Sequence, residues 1–380
     1  MADMKPQLFA WILVAVAVVL LAPLSLLRAA EVMPLAIGLA APEFSLPGVD
    51  GKTHSLANFK AAKVLVVLFT CNHCPTAQGY EGRIKKMHAD YREKGVALVA
   101  ISPNDPLALR LDELGYTDVS DSFEDMKIRA RDQQFDFPYL YDGETQKTSL
   151  AYGALATPHV FIFDAERKLR YAGRIDDSEV KEPKSHDARN AIDALLAGKP
   201  VAVEKTKVFG CSTKWSDKRA DAKRSLEKWD AEPVAIESID AAGVKDLAAN
   251  KDSKKYRLIN VWATWCGPCV AELPELVEMN RMYRKRPFEL ITISMDEPDQ
   301  KSAALEMLKQ QKVATKNFLY TGGDKDKLVN ALDPKWEGPV PFTALIAPGG
   351  EVLYRKTGAI DALEVKRVIA DHLGRTYASR

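Results

Sequence analysis

What the chain has little of sets its limits. It holds five cysteines in 380 residues, too few for a disulfide-held scaffold. Charge imbalance is nearly absent: 53 Lys+Arg against 52 Asp+Glu leave +1. No long-range field therefore draws it to nucleic acid or to acidic surfaces, and no nucleic-acid partner is expected. Hydrophobic content of 47% and charged content of 28% are those of ordinary globular protein, and the length allows two or three domains. Charge is also missing locally. Residues 8–27, between Lys5 and Arg28, carry none. That stretch matches the ~20 apolar residues needed to span a bilayer and exceeds the ~7–15-residue core of a signal peptide. Pro23, Ala29 and Ala30 keep a cleaved signal open, so residues 1–30 are expected to be a membrane anchor or a signal peptide. Either places everything after Glu31 in the cell envelope, on the periplasmic side.

Four of the five cysteines form two Cys-x-x-Cys pairs. Val66-Val67-Leu68-Phe69 leads through Thr70 into Cys71-Asn72-His73-Cys74, and Leu258 to Trp262 leads into Cys266-Gly267-Pro268-Cys269. Each pair follows a strand-like run and opens a helix-like one. A helix N-terminus carries partial positive charge from unpaired N–H groups, which stabilises a thiolate there. The second cysteine, a turn on, attacks the mixed disulfide formed by the first. The pattern points to thiol–disulfide redox chemistry carried twice, without a cofactor. Cys266 and Cys71 are expected to attack, with Cys269 and Cys74 as their resolvers.

Superposing the two pairs exposes an internal repeat. Strand-like runs follow at Val96–Ser102 and Phe288–Ser294, and shorter ones at Pro138–Tyr141 and Asn317–Tyr320. Closing hairpins begin at Thr157-Pro158-His159 and Val340-Pro341-Phe342, and helix-like segments end each copy at Ala188–Ala197 and Leu363–Leu373. Alternating strands and helices predict an α/β fold with helices on both faces of a mixed central sheet. Lys214 to Asp230 is charged, with Trp215, Leu226 and Trp229 as apolar points. The expected organisation is a first domain over 31–213, a charged linker helix over 214–230 and a second domain over 231–380.

Residues 231–380 resemble the membrane-anchored, extracytoplasmic thiol–disulfide reductases of the TlpA and ResA type. The resemblance rests on Asn260-Val261-Trp262-Ala263-Thr264-Trp265-Cys266-Gly267-Pro268-Cys269 and Glu272-Leu273-Pro274. It implies a thioredoxin fold in which Pro274 kinks the helix and Pro341 is the cis-proline facing the cysteines. Trp265, Gly267 and Pro268 would support that site. Thioredoxin has a buried Asp where this chain has Asn260, and an amide cannot act as a general base, so proton handling falls to another residue. Residues 31–213 are similar to the redoxin, or peroxiredoxin-like, branch of the fold. That likeness runs through Ala41-Pro42-Glu43-Phe44, Cys71-Asn72-His73-Cys74-Pro75, Thr157-Pro158, Gly173-Arg174-Ile175-Asp176 and Gly210-Cys211-Ser212. Peroxidase members place a Thr three residues before the reactive cysteine. Here Thr70 is adjacent to Cys71 and four before Cys74, and Arg174 is only a candidate for a peroxide pocket.

Alternatives stay open at domain 1. A zinc half-site at Cys266 and Cys269 lacks a second pair to complete it. Cys71, Cys74, His73 and His159, by contrast, form a plausible copper or zinc set, which would make domain 1 a metallochaperone site that domain 2 keeps reduced. In the redox reading, a protonated His73 lowers the pKa of Cys71 and makes its disulfide the more oxidising, so domain 2 would reduce domain 1. Cys211 either packs as a free thiol or resolves one of the pair. Expected partners are protein disulfides or peroxides as substrates, a membrane or soluble thiol as electron donor, and a membrane through residues 8–27.

Overall fold

The computed structural model describes residues 32–377; the expected anchor or signal over 1–30 lies outside them. Among the described residues no helix is long and apolar enough to cross a membrane. From Pro34 onward the chain packs as one compact unit holding two α/β sheets.

Chain order in the first half is β1 (Ser45–Pro47), β2 (Thr53–Ser55), β3 (Val64–Phe69), α1 (Pro75–Tyr91), β4 (Val96–Ser102), α2 (Phe123–Asp132), β5 (Tyr139–Tyr141), α3 (Lys147–Tyr152), β6 (Ala156–Thr157), β7 (His159–Phe163), β8 (Leu169–Gly173), α4 (Asp187–Leu196) and β9 (Cys211–Ser212). The sheet order is β5-β4-β3-β7-β8, with β3 parallel to β4 and antiparallel to β7. Central β3, Val-Leu-Val-Val-Leu-Phe, is wholly buried because both faces of the sheet are covered. The apolar run that marked it as a strand is the same run that fills two core layers.

The second half holds α5 (Arg219–Asp230), β10 (Glu237–Ile239), α6 (Ala241–Ala249), β11 (Tyr256–Trp262), α7 (Gly267–Tyr283), β12 (Phe288–Ser294), α8 (Lys301–Gln310), β13 (Lys316–Tyr320), α9 (Lys325–Leu332), β14 (Phe342–Ile346), β15 (Val352–Thr357) and α10 (Ala362–Leu373). Its sheet order is β10-β13-β12-β11-β14-β15. Pro274 lies inside α7, where it has no N–H to give the preceding turn. Both halves are thioredoxin folds, with Thr157-Pro158 and Val340-Pro341 both cis.

Strand register aligns the halves and corrects the superposition made on the cysteines. Phe69 pairs with His159, and Val261 pairs with Phe342. His159 and Phe342 each directly follow the cis-proline, so Phe69 corresponds to Val261. Five residues further on stand Cys74 and Cys266, each the N-cap of its helix. Cys74, not Cys71, therefore occupies the place of Cys266. Cys71 falls at the position of Ala263, and the counterpart of Cys269 is Ala77.

The halves are docked through the C-terminal part of α7 and the end of α10. Leu109 and Leu114 of the first half enter the same apolar cluster as Met279, Met282 and Tyr283. Tyr283 donates to the Thr117 carbonyl at 2.9 Å, and the Arg286 guanidinium lies 3.8 Å over the Tyr116 ring. Asp118, buried, takes Arg367 at 3.4 Å and also pairs with Arg375. The segment expected as a charged linker helix is tied at both ends. Lys214 N–H donates to Asn104 at 2.9 Å, and Asp230 accepts from Arg281 at 2.8 Å. Trp229 within it is buried.

Candidate functional sites

In domain 2 the strand β11 delivers Trp265 and Cys266 to the start of α7. Cys266 caps that helix, its sulfur accepting from the Cys269 N–H at 3.3 Å, and the two cysteines form a disulfide. Trp265 beside them is 66% exposed, and Gly267 and Pro268 are exposed too. Pro341 is buried below, while Val340 before it is part exposed and has no strand partner among the described residues. The site is an open surface around a nearly buried sulfur.

Glu272, quoted in the motif without a role, proves central to this site. It lies three residues past Cys269, so both side chains leave one helix face. It is buried, with Oε1 accepting from Asn260 Nδ2 at 2.8 Å and Oε2 from the Ile360 N–H at 3.1 Å. Burial lifts its pKa above the ordinary carboxylate value, against the opposing pull of those two hydrogen bonds. Asn260 thus holds the buried carboxyl about one helical turn past Cys269.

Domain 1 presents the opposite surface. Cys71, Asn72, His73, Cys74, Pro75 and Thr76 are all buried, and among its three thiols only Cys211 is partly reached by solvent. Cys74 Sγ accepts from the Cys211 N–H at 3.3 Å and lies 3.3 Å from the Thr157 carbonyl oxygen. Cys71 Sγ is 3.0 Å from Thr157 Oγ1 and 3.4 Å from His73 Nδ1. Asp121, which sequence reasoning missed, organises the loop. Its Oδ1 accepts from the Asn72 and His73 N–H groups, and its Oδ2 lies 2.6 Å from both His73 Nδ1 and Asn104 Nδ2. It sits 48 residues from His73 in sequence, in a loop with no periodic signal.

Electrostatics favour the thiolate at Cys74. Burial opposes it, but hydrogen bonds from Cys211 and Cys71, the charge of His73 and the Ala77 amide carry its pKa well below the ordinary thiol value. Burial, with Cys74 and Asp121 adding negative charge, pushes Cys71 well up. His73 is raised: burial works against its charge, and Asp121 outweighs it. The Nδ1 of His73, the residue expected to act on Cys71, pairs with Asp121 and lies 3.4 Å from Cys71 Sγ, while the charge of the ring favours the thiolate at Cys74.

The four-residue metal set is not brought together. His159 Nδ1 faces the Leu155 N–H at 3.4 Å, its ring packs 4.3 Å from that of Phe161, and burial pushes its pKa down to about 3. Cys71, His73 and Asp121 do lie within 4.8 Å of one another. Both oxygens of Asp121 are, however, already taken by the Asn72 and His73 amides, the His73 ring and Asn104. Arg174 is paired with Asp187 at 2.7 Å.

Two thioredoxin folds, each with a cysteine capping the first long helix beside a cis-proline, define a double redoxin-type chain. Comparison agrees. Residues 37–172 match the AhpC/TSA family and residues 239–369 the Redoxin family, so two redoxin domains stand in tandem. The chain is similar to the thiol-disulfide oxidoreductase ResA of Geobacillus kaustophilus, 30% identical over 109 residues, 29% of this chain and 58% of that protein. It is likewise similar to ResA of Bacillus anthracis, 32% identical over 114 residues, 28% of this chain and 58% of the relative. It thus spans under two thirds of these relatives' length. Among solved structures, an uncharacterized conserved protein from Geobacillus kaustophilus is 38% identical over 48% of this chain and 93% of its own, with a TM-score of 0.42.

Proposed function

We propose that the chain is a thiol–disulfide oxidoreductase with two sites of different access. The observation that carries this is the disulfide of Cys266 and Cys269 at the start of α7, beside cis Pro341 and exposed Trp265. Once reduced, Cys266 attacks a substrate disulfide, Cys269 resolves the mixed disulfide, and Glu272 accepts the Cys269 proton. Val340 offers unpaired backbone to an extended substrate segment, which suits a protein disulfide. In domain 1 the roles follow the register: Cys74 attacks and Cys71 resolves. The position three before Cys74 is then a cysteine instead of the threonine of peroxidase members, so we assign thiol exchange there, not peroxide reduction. Residues 8–27 support an extracytoplasmic location, tethered or secreted, where a membrane or soluble thiol would supply electrons.

Electrons are proposed to pass from domain 2 to domain 1 between two chains. At ~1.5 Å per residue, Met282 at the docked end of α7 is about 24 Å from Cys266. Sulfur exchange needs contact, and this separation from the docked end favours transfer between chains over transfer within one. The proposal is tested by Cys266→Ser in the full chain, which should abolish reduction of a test protein disulfide. Retained turnover would remove domain 2 from the chemistry.

A further inference from the structure

In thioredoxin folds the backbone before the cis-proline is free to pair with an incoming strand, and in domain 2 Val340 is free in this way. In domain 1 the equivalent Thr157 is not. It pairs antiparallel with Cys211, Ala156 pairs with Ser212, and Thr213 continues the ladder by donating to Leu155 O at 3.1 Å. A segment of the chain's own sequence fills the groove that is open in the other half.

That segment is built to stay. A Cβ on Gly210 would lie 2.1 Å from the Thr157 carbonyl oxygen, so only glycine allows this approach, and its φ of +134° suits glycine as well. Phe209 packs its ring 6.2 Å from Tyr80. On the other flank, Asp105 N–H donates to Lys214 O at 3.0 Å and Gln146 Nε2 to the same oxygen at 2.9 Å. The strand brings a cysteine to the capping sulfur: the Cys211 N–H reaches Cys74 Sγ, and Cys211 is the one thiol of the three not fully buried.

We propose that residues 210–213 are an internal substrate strand and that Cys211 is the port through which the buried Cys71–Cys74 pair exchanges electrons. This rests on the reading of Cys74 as the attacking thiol. With Cys71 and Cys74 joined, the Cys211 thiol loses its proton to water and attacks Cys74. The Cys71–Cys74 bond breaks, Cys71 leaves as thiolate, and a Cys74–Cys211 disulfide forms. A solvent dithiol then attacks Cys211 through one of its thiolates. Cys74 leaves as thiolate, and the second thiol of the reductant displaces Cys211, so the dithiol is oxidised to its disulfide and domain 1 gains two electrons. Run backwards, the same steps oxidise domain 1. The plugged groove keeps polypeptide disulfides from Cys74, so the partner is a thiol or disulfide that reaches Cys211 alone, such as a small dithiol or a pair set in an exposed surface like Cys266 and Cys269.

The test uses the full chain, oxidised and reduced dithiothreitol, and peptide mapping without reduction. In Cys71→Ser, oxidation should join Cys74 to Cys211. In Cys211→Ser, the Cys71–Cys74 disulfide should still form, but its reduction should slow at least about tenfold, because the reductant must reach a buried sulfur. A Cys71→Ser chain in which Cys74 holds a dithiothreitol adduct while Cys211 stays alkylatable overturns the port and leaves Cys74 as the attacking thiol. Unchanged reduction in Cys211→Ser overturns it equally, even if Cys71→Ser does not fold. Cys74 inert in every variant overturns both the port and the reading beneath it.

Discussion

Replacing Glu272 with glutamine should make the protein more stable and less active at once. Its carboxyl is buried in domain 2, and burial sets its pKa above the ordinary value. A folded pKa above the unfolded ~4.3 means that the native state holds the proton more tightly. Its contribution to folding is present below the unfolded value and lost as pH rises through the folded one. At pH 7 the buried charge therefore costs about 1.4 kcal/mol for every tenfold by which folding tightens the hold on that proton. Glutamine keeps the shape without that charge. Its new amide N–H meets an acceptor if Asn260 turns over, since Asn260 Oδ1 is buried without a partner among the described residues. The Glu272→Gln chain should thus unfold at higher temperature than the parent at pH 7, with the gap closing near pH ~4. Meanwhile Cys269 loses its proton acceptor, and a positioned general base contributes ~10²–10⁴-fold. Disulfide reduction at pH 7 should fall by about that factor, with alkylation of reduced Cys266 little changed. Thermal unfolding at the two pH values and a turnover assay on the same preparation settle it. Lower stability at pH 7, or turnover within about twofold of the parent, would refute the reasoning.

Three further outcomes follow from the geometry. In the reduced chain Cys74 should stay a thiolate well below the ordinary thiol pKa, so Cys74→Ser should remove ultraviolet thiolate absorbance at neutral pH; its loss in Cys71→Ser instead would return the attacking role to Cys71. Asp118→Ala removes the buried carboxylate that Arg367 and Arg375 share across the docked halves and should cost on the order of 3 kcal/mol. Because Arg375 holds the Asp118 pKa below its ordinary value against the cost of burial, the docking it provides is present above the unfolded ~3.9 and lost as pH falls through the folded one; domain separation seen by scattering at neutral pH in the parent chain would contradict this. Finally, transfer from reduced domain 2 to oxidised domain 1 should speed up in proportion to chain concentration, and a concentration-independent rate would show that the docked arrangement opens.

The elements that carry the fold were legible because burial leaves a pattern. Val64–Phe69 is apolar on both faces as a central strand must be, Leu258, Ile259, Val261 and Trp262 repeat that run around Asn260, and the closing hairpins recur in both halves. Superposing the two Cys-x-x-Cys pairs misled, since identical spelling stands at different registers. A local signal did exist. Pro75 follows Cys74 directly, and proline is favoured at the first position of a helix, which marks Cys74 as the cap. Asp121 left no such signal, and Cys211 was marked only by its residue type and its place in the redoxin-like stretch. They reach the site across 48 and 137 residues, and only tertiary packing places them.

The same fold has thus been given two kinds of access by what lies beside its cis-proline. Around Cys266 the edge is open and an indole stands exposed, so the sulfur can meet a chain of many sequences. Around Cys74 the edge is already paired, and the proposed way in ends on a half-buried cysteine of the same chain. Linking two such sites raises the effective concentration of one near the other only where the geometry lets them touch. Here α7 holds its cysteines at one end and the other domain at the other, so the covalent link alone gives no advantage to exchange within a chain. What the docking does supply is a fixed join at the far end of α7 that leaves Trp265 exposed beside Cys266, and a second copy of Cys211 is the partner proposed for it.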